Sequence, residues 1–502
     1  MPPASHLDST VVNRGNFPPS GETPPCSFVS GTTCFRKLSR LPLFRSSGRS
    51  GFTLGPALVV VTMVAGCASV ASNCPIAPDH VPARPFRISL SVSPFTELLL
   101  KNGVVFTDGQ QVARTTEELQ TLFISRGANE VYARIATVKT DPAAGIERSL
   151  TKGLDRARLA HRLGVPLNPE LGLFGTYGDI RCQGPPDFSE YPEIQLPGPW
   201  STLNLDQMEV ALHTYGAVVA RAILDTGVEV RIWDIGNEVE FGIAGVSVRP
   251  ASTGCPDPSD WKNGYEPPDR VDPEIGKMSV EELARMAPSD RIRWLQKHMW
   301  PYVARILAAV ASGIRSVDPN ARFSTHISGG AALNASESLA FYGALKENGF
   351  VPDEFGFSYY PSNSDQGDRL VDFANTLMLV KCEFKRPVFI AEFGYPVKTI
   401  GTGDFQQWNH PLAGYAITEE GQAELLHDLA SWGVAVGVSG IRPFAPDLLI
   451  PGWEPMALFS LQATQLGPTA IGRPALRAFR KGAATPDSNA LQLYPEWFPV
   501  ED

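Results

Sequence analysis

The stretch LNLDQMEVALHTYGAVVARAILDTGVEVRIWDIG, residues 203–236, joins a helix to a strand and decides the fold. Its first part carries apolar side chains at three- and four-residue steps, which predicts a helix over 203–226 with one buried face. The members of that face are Leu205, Met208, Leu212, Tyr215, Val219 and Ile223. Thr202 or Asn204 is placed to cap this helix, and Gly227 follows its end. The run VEVRIWDIG at 228–236 then predicts a strand.

The same alternation of strand and helix extends in both directions from this unit. Strands are predicted at 87–93, 130–137, 169–176, 228–236, 321–328, 354–360, 387–393 and 436–443. Helices are predicted at 115–126, 147–163, 203–226, 289–316, 333–348, 368–384 and 419–433. Because strands that alternate with helices form parallel sheets, eight such units predict an α/β fold, a single (β/α)8 TIM barrel with long βα loops. No glycine-rich phosphate-binding motif follows an early strand, so nucleotide binding has no support.

The composition excludes several classes of protein. The chain has 502 residues, 43% of them hydrophobic, which is enough to bury a large core. Its 43 Lys and Arg against 53 Asp and Glu give a net charge of −10, without the basic excess of a nucleic-acid-binding protein. No apolar run reaches the ~18–20 residues that a membrane-spanning helix needs. We expect a monomer with no nucleic-acid partner.

Residues 1–66 are predicted to be a signal segment with a disordered lead. A basic stretch precedes the apolar run 57–65, and Val64-Ala65-Gly66-Cys67 resembles the lipobox of bacterial lipoproteins, in which the cysteine is lipidated. An ordinary secretory signal, or a buried strand that ends in cysteine, is the alternative. The protein is therefore expected in a bacterial cell envelope, at the outer membrane or facing the periplasm, held by a lipid on Cys67, or secreted. The predicted divisions are 1–66 signal segment, 67–85 linker, 86–485 barrel domain and 486–502 tail.

The seven cysteines show no CxxC or Cys/His spacing, so a metal site of zinc type has no support. Export would permit a disulfide. Cys182 and Cys255 both lie in loops after predicted strands and are the pair we expect to bond. Cys382 is expected to be a buried helix thiol.

Two glutamates end predicted strands. Glu238 follows the fourth strand in WDIGNE, and Glu392 ends the seventh in PVFIAEF. The ends of these strands lie across the mouth of a barrel, where its chemistry takes place. Retaining glycoside hydrolysis needs two carboxyl groups about 5–5.5 Å apart, one as nucleophile and one as acid/base. The acid/base needs burial or a negative neighbour to stay protonated, and the nucleophile needs a cation, for which Arg134 is the candidate.

The dipeptide Asn-Glu is weak evidence by itself. A second copy, Asn129-Glu130, stands at the start of the second predicted strand. That end of a barrel serves stability rather than catalysis. We therefore predict a structural role for Asn129-Glu130 and a catalytic role for Glu238 paired with Glu392.

The motifs WDIGNEVEFG, FGFSYYPSNSD and PVFIAEFGYP resemble those on strands four, six and seven of family-53 glycoside hydrolases, the arabinogalactan endo-β-1,4-galactanases of glycosidase clan A. The resemblance runs in order from about residue 87 to 480. It implies that Glu238 is the acid/base, that Glu392 is the nucleophile, and that Asn237 donates to the sugar 2-hydroxyl. The other residues to which it assigns substrate binding are Arg134, Tyr359, Tyr360 and Trp453.

Two segments depart from the family pattern. The third strand ends Thr176-Tyr177-Gly178-Asp179 where the family usually has His-Tyr-Ser-Asp, and Pro443-Phe444-Ala445-Pro446 replaces Tyr-Trp-Glu-Pro on the eighth. Both segments line the substrate cleft in the family, so we predict kept hydrolase chemistry with changed sugar-binding walls. Tyr177 and Asp179, together with His326 near the end of the fifth strand, complete the predicted substrate-binding residues.

The sequence thus predicts a retaining, endo-acting β-glycosidase of a plant-type or envelope polysaccharide, with β-1,4-galactan or arabinogalactan as the implied substrate. One alternative is another clan A enzyme that acts on a β-galactoside, β-mannoside or arabinoside. A non-catalytic glycan-binding lipoprotein on the same scaffold is the other. No cofactor is expected. Calcium occurs in some relatives, but no run of ligands here demands it.

Overall fold

The structure, a computed structural model, describes residues 85–491 except 142–147, 176, 252–263, 333, 364–368 and 404. It confirms the predicted (β/α)8 barrel. The strands are β1 (Arg87–Ile88), β2 (Val131–Ile135), β3 (Leu167–Leu171), β4 (Trp233–Ile235), β5 (Phe323–Ile327), β6 (Glu354–Tyr359), β7 (Val388–Phe393) and β8 (Gly440–Pro443). The helices that follow them are α1 (Thr116–Ser125), α2 (Leu150–Leu163), α3 (Leu205–Leu224), α4 (Trp300–Arg315), α5 (Ala335–Glu347), α6 (Leu370–Phe384), α7 (Glu419–Val436) and α8 (Ala478–Ala484).

The strands are parallel and lie in the order β1-β8-β7-β6-β5-β4-β3-β2. β1 and β2 meet at a seam that side chains complete. The Asn129 amide bonds to the Phe86 carbonyl at 2.8 Å and to the Ile88 N–H at 3.0 Å. Glu130 accepts from the Ser89 hydroxyl and pairs with Arg87. The copy Asn129-Glu130 is therefore structural, as predicted.

The helix α3 forms where the apolar periodicity predicts it. All six residues of the predicted apolar face are buried. Asn204, rather than Thr202, caps the helix and forms a capping box with Gln207, and Gly227 beyond the end has a φ of +80°. A left-handed φ suits glycine because it has no Cβ to clash.

The single helix predicted over 289–316 is wrong, since the structure has two. Pro288–His298 ends at Met299, and α4 begins at Trp300 with Pro301 in its first turn. Proline lacks the N–H that a continuing helix requires and restricts the residue before it, so the chain restarts there.

Further elements decorate the barrel. A four-stranded sheet contains Phe459–Thr464, Gly467–Gly472, Val105–Asp108 and Gln111–Ala113. Two-stranded ribbons pair Gly178–Asp179 with Cys182–Gln183, and Gly242–Ile243 with Val246–Ser247. Short helices span Thr96–Lys101, Val280–Arg285 and Gly329–Ala332, and 3-10 turns span Trp200–Thr202, Val239–Phe241, Ile275–Lys277, Glu454–Met456 and Pro474–Arg477. Among the described helices, none combines the length and apolar character needed to cross a membrane.

The cysteines differ in part from expectation. Cys182 and Cys382 each take part in a disulfide, so the prediction of a free thiol at Cys382 is wrong. Cys255 and Cys67 lie outside the described residues. The pairing of Cys182 with Cys255 and the lipidation of Cys67 therefore stay predictions.

Candidate active site

The barrel interior is crossed by a network of buried charges. Arg442 of β8 donates to Glu170 of β3 at 2.8 Å and to Asp234 of β4 at 3.0 Å. Glu170 also accepts from Arg134 at the end of β2 and from Tyr132, the latter at 3.0 Å. Buried charges are stable only when they are paired and hydrogen-bonded, so this network holds the guanidinium of Arg134 in place from the barrel interior.

Glu238 stands in a strained turn at the end of β4. Gly236 has a φ of +82°, and a Cβ there would lie 2.4 Å from Val239. Glu238 itself has a φ of +51° and a ψ of +63°, a left-handed conformation that costs a non-glycine residue free energy. Its side chain is 8% exposed, and its Oε2 lies 3.4 Å from the Ile180 N–H. Residues held in such strain cluster at functional sites.

Asn237 links the elements around this turn. Its Oδ1 accepts from Arg134 at 2.7 Å and from His326 Nε2 at 2.9 Å. Its Nδ2 donates to the Gly178 carbonyl at 2.6 Å, while Gln183 donates to its backbone carbonyl at 2.6 Å. The amide is therefore held in one orientation, and its second side-chain N–H has no partner among the described residues.

Glu392 projects from β7 beside a bulge. The pairing of β7 with β6 shifts so that Ser358 lies opposite Glu392. Bulges re-aim side chains next to active sites. One Glu392 oxygen accepts from Arg134, and the other accepts from the Tyr360 hydroxyl at 2.7 Å.

The two carboxyl groups have opposite electrostatic environments. Burial and the negative charge of Glu392, with Asp179 and Glu240 beyond it, raise the pKa of Glu238 to about 8. Burial alone would also raise the pKa of Glu392, but the guanidinium of Arg134 and the Tyr360 hydroxyl bring that pKa below its usual value. At neutral pH one group is an acid and the other an anion.

His326 lies inside this network rather than on the cleft surface. It is fully buried, and its Nδ1 is 3.5 Å from Asp234. Burial opposes its protonation, but the carboxylate of Asp234 outweighs it and raises the pKa of His326. His326 positions Asn237 and so acts on the site through that amide.

The ribbon after β3 forms one wall of the site. The Tyr177 hydroxyl bonds to Asp179 at 3.1 Å, and Arg181 pairs with Asp179 at 2.8 Å. Thr176 lies outside the described residues. Tyr177 is half-buried, and its predicted contact with substrate stays a prediction.

Tyr360 and Trp453 belong to an aromatic cluster at the opposite wall. Trp453 is 2% exposed and packs against Phe405 and Phe444 at ring distances of 4.9 and 5.3 Å. Its indole N–H donates to the Ala445 carbonyl at 3.1 Å. Its ring also meets that of Tyr360 edge-on, at 6.4 Å between ring centres, and its predicted contact with substrate stays a prediction.

Tyr359 is also displaced from its predicted place. Its ring stacks on Phe373 of α6 at 4.3 Å and is fully buried between strand and helix. Successive side chains of a strand point to opposite faces, so Tyr359 and Tyr360 cannot both face the cleft. The family-like aromatic pair therefore contributes one residue to the site, Tyr360.

Glu170, Asp234 and His326 are close enough to hold a metal, with ligand atoms within 4.8 Å of one another. The carboxylates already bond to the guanidinium groups of Arg134 and Arg442. Two fixed cations beside these oxygens disfavour a third, so the cluster does not fit calcium.

Sequence reasoning missed Glu170, Asp234, Arg442, Gln183 and Glu240. A signal was present for Glu170, Asp234 and Arg442, because each is a charged residue within a strand that is otherwise buried on both faces. Glu240 lies two residues after Glu238, is buried, and accepts from the Ser328 N–H at 2.9 Å. Burial raises its pKa to about 7.

The sequence and the fold were compared with those of known proteins. Residues 269–469 match the profile of Glycosyl hydrolase family 53. The structure of the GH53 catalytic domain of Ignisphaera aggregans superposes with a TM-score of 0.56 at 19% identity, covering 80% of this chain and 98% of that one. A structure from a study of two fungal beta-1,4-galactanases superposes with a TM-score of 0.54 at 16% identity, covering 79% and 99%. No curated protein matches the sequence of this chain. The matched stretch contains Glu392, Tyr360 and His326, while Glu238 precedes it.

Proposed function

We propose that this chain, a glycoside hydrolase whose residues 269–469 match the family-53 profile, is a retaining, endo-acting β-glycosidase that works by double displacement. Glu392 is the nucleophile and Glu238 the acid/base. The observation that carries this proposal is the opposed pair of charge environments, one carboxyl held ionised by Arg134 and Tyr360 and the other held protonated by burial and negative neighbours. A double displacement needs that division of roles.

In the first step Glu392 attacks the anomeric carbon while Glu238 gives its proton to the leaving oxygen. Formation of the glycosyl ester removes the charge of Glu392. That charge raises the pKa of Glu238, so the pKa of Glu238 falls in the intermediate. Glu238 is then suited to take a proton from water in the second step. The remaining Asn237 N–H is placed to bond the 2-hydroxyl of the reacting sugar.

The family match and the fungal relative support β-1,4-galactan or arabinogalactan as substrate. The test is incubation with galactan, arabinogalactan, mannan and arabinan, followed by chromatography of the products and NMR of the new reducing ends. We expect oligosaccharides of several lengths, whose new reducing ends have the β-configuration when they are first released. Initial α-anomers would contradict retention, and release of monosaccharide alone would contradict endo action.

A second candidate is a clan A enzyme that acts on another β-galactoside, a β-mannoside or an arabinoside. The changed walls favour it, since Tyr177 and Asp179 bond to each other on one side and Phe444 packs under Arg134 on the other, 5.3 Å from ring centre to guanidinium. Cleavage of mannan or arabinan in the same panel, without cleavage of galactan, would select it. A non-catalytic glycan-binding protein would bind an oligosaccharide and leave it intact over days.

We further propose that the protein is lipid-anchored in a bacterial cell envelope through Cys67. The support is the resemblance of residues 64–67 to a lipobox. Labelling with a radioactive fatty acid in a bacterial host should mark the protein, and Cys67→Ser should abolish the label and release the protein from membranes. Cys74→Ser is the matched control. Unchanged labelling of Cys67→Ser would contradict the anchor.

A further inference from the structure

We propose that a cavity beside the active site binds an acidic substituent of the glycan and that Arg148 recognises it. This inference rests on the proposed function, because it names the class of sugar for the same cleft. The substituent is an oxygen anion on the sugar, the carboxylate of a uronic acid or a sulfate ester. Both match the planar fork of donors that a guanidinium presents.

The cavity lies at the carboxyl ends of β1, β2 and β8. Its lining includes Ser91, Ser93, Tyr132, Arg134, Arg148 and Phe444. Arg134 connects it to the active site, because the same guanidinium bonds to Glu392 and lies over the Phe444 ring. A sugar held over Glu392 therefore has space for a substituent or a neighbouring unit in this cavity.

Arg148 is the cation in this cavity that lacks a partner among the described residues. It is 6% exposed, and its Nη1 is buried without a hydrogen bond. Its guanidinium lies 4.9 Å from the ring centre of Tyr177, a residue of the substrate wall. An unpaired buried charge is unfavourable, so the local structure is incomplete in a way that an anion would remedy.

The other cations around the cavity each have a carboxylate partner. Lys152 and Arg156 both pair with Glu97, at 2.7 and 2.9 Å. Arg134 pairs with Glu170 and Glu392. Burial and the positive charge of Arg134 lower the pKa of Arg148, and a bound anion would act in the opposite direction. Arg148 is therefore the cation of the lining that has no carboxylate partner among the described residues.

Two further features favour an anion. Ala445 lines the cavity at the position where the family usually carries an acid, so a negative charge that would compete for Arg148 is missing. The wall is also braced, since the carboxylate of Asp447 accepts from the Ser93 N–H at 3.0 Å. A preformed pocket binds its ligand without the entropy cost of ordering.

The test measures binding by calorimetry in a Glu238→Gln background, in which turnover is slow and the Arg134–Glu392 pair is intact. The probes are glucuronosyl-galactose, its carboxyl-reduced form, and sulfated galactobiose beside plain galactobiose. We expect at least one acidic probe to bind roughly 10- to 100-fold more tightly than its neutral match, the factor that a buried charge-assisted hydrogen bond provides. The preferred probe identifies carboxylate or sulfate as the ligand.

Arg148→Gln should abolish that preference, and Arg148→Lys should keep part of it. Arg158→Gln is the matched control, because Arg158 is an exposed arginine on helix α2, which begins two residues after Arg148, and it pairs with Asp155. Equal affinity for acidic and neutral probes in Glu238→Gln would overturn the inference, and so would a preference that survives Arg148→Gln. If Arg148→Gln does not fold, the salt dependence of binding in the Glu238→Gln background replaces this variant as the test. High salt screens the charge of Arg148, so the preference for the acidic probe should be lost. A preference that high salt leaves unchanged would overturn the inference.

The two proposals fail separately in these measurements. Selective binding by a protein that cleaves neither the polysaccharide panel nor a glucuronosylated or sulfated galactan would overturn the glycosidase and keep the acidic site. Cleavage of neutral galactan, together with equal affinities for the acidic and neutral probes, would support the glycosidase and overturn the acidic site.

Discussion

Glu238 and Glu392 are the same residue type at the ends of two strands of one barrel, and both are buried. Glu392 accepts two hydrogen bonds, from a cation and from a phenol, and its pKa lies below the usual value. Glu238 accepts one long bond from a backbone N–H and faces negative charges, and its pKa lies near 8. Burial alone would make both groups acids. The comparison teaches that hydrogen-bond partners, rather than depth, divide the two roles.

The largest effect is expected from removing either carboxylate. Glu392→Gln should lower kcat by on the order of 10⁴-fold or more, because no covalent intermediate can form. Glu238→Gln should lower it by about 10²–10⁴-fold on natural glycans. With a dinitrophenyl glycoside, whose leaving group needs no proton, Glu238→Gln should still form the intermediate, and added azide should restore its turnover.

Steady-state and burst kinetics on both substrates make this measurement, with circular dichroism to verify folding. The two variants should differ on the activated substrate. Equal activity of the two variants there would remove the division of roles, and near-wild-type activity of either on glycan would remove the assignment.

The next effect tests the cation on the Glu392 side. Arg134→Met should lower kcat/KM by roughly 10²-fold, since the charge that stabilises the ionised nucleophile is lost. The pKa of Glu392 should rise, so the acidic limb of the pH profile should move to higher pH. Arg134→Lys keeps the charge, so it should retain more activity than Arg134→Met and leave the acidic limb at its original pH. An acidic limb that stays in place in Arg134→Met would contradict this function of Arg134.

A smaller effect is expected from the phenol. Tyr360→Phe removes one hydrogen bond to Glu392, which predicts about a tenfold loss of kcat/KM. Tyr359→Phe is the matched control from the adjacent position, because that ring packs against α6 and faces away from the cleft. Michaelis–Menten kinetics on galactan oligosaccharides would measure both. A loss in Tyr359→Phe equal to that in Tyr360→Phe would mean that the hydrogen bond is not the cause.

Most of the fold was predictable because it depends on local periodicity. All eight strands were located, since runs of apolar residues between helical segments indicate buried parallel strands. The break before Pro301 had a local signal that the periodicity of 289–316 outweighed. Tyr359 could have been assigned correctly by the alternation of strand faces, because Phe355 and Phe357 share its side of β6.

The site was predictable only where a topological rule applied. Strand-end position separated Asn237-Glu238 from Asn129-Glu130, which no local property of the dipeptide could do. The pairs that bind Arg442 to Glu170 and Asp234 join residues 272 and 208 positions apart, so they depend on the closed barrel. The left-handed backbone of Glu238 and the absence of a carboxylate partner for Arg148 among the described residues likewise depend on the folded surroundings.

The smallest effect concerns the charges on the Glu238 side. Activity requires Glu238 protonated and Glu392 ionised, so kcat/KM should fall as pH rises through about 8, the pKa of Glu238. Asp179→Asn removes a negative charge that raises this pKa and releases Arg181, whose charge also acts on Glu238. Both changes favour the ionised form of Glu238. The basic limb should therefore move to lower pH.

Arg181→Gln provides the opposite change at the same pair. It leaves the negative charge of Asp179 without its partner at 2.8 Å, which should raise the pKa of Glu238 and move the basic limb to higher pH. Profiles of kcat/KM at constant ionic strength would measure the two shifts. A structural disturbance of the wall would lower activity without a signed displacement of the limb, so opposite displacements would identify charge as the cause. Displacements in the same direction would mean that some other group sets the basic limb.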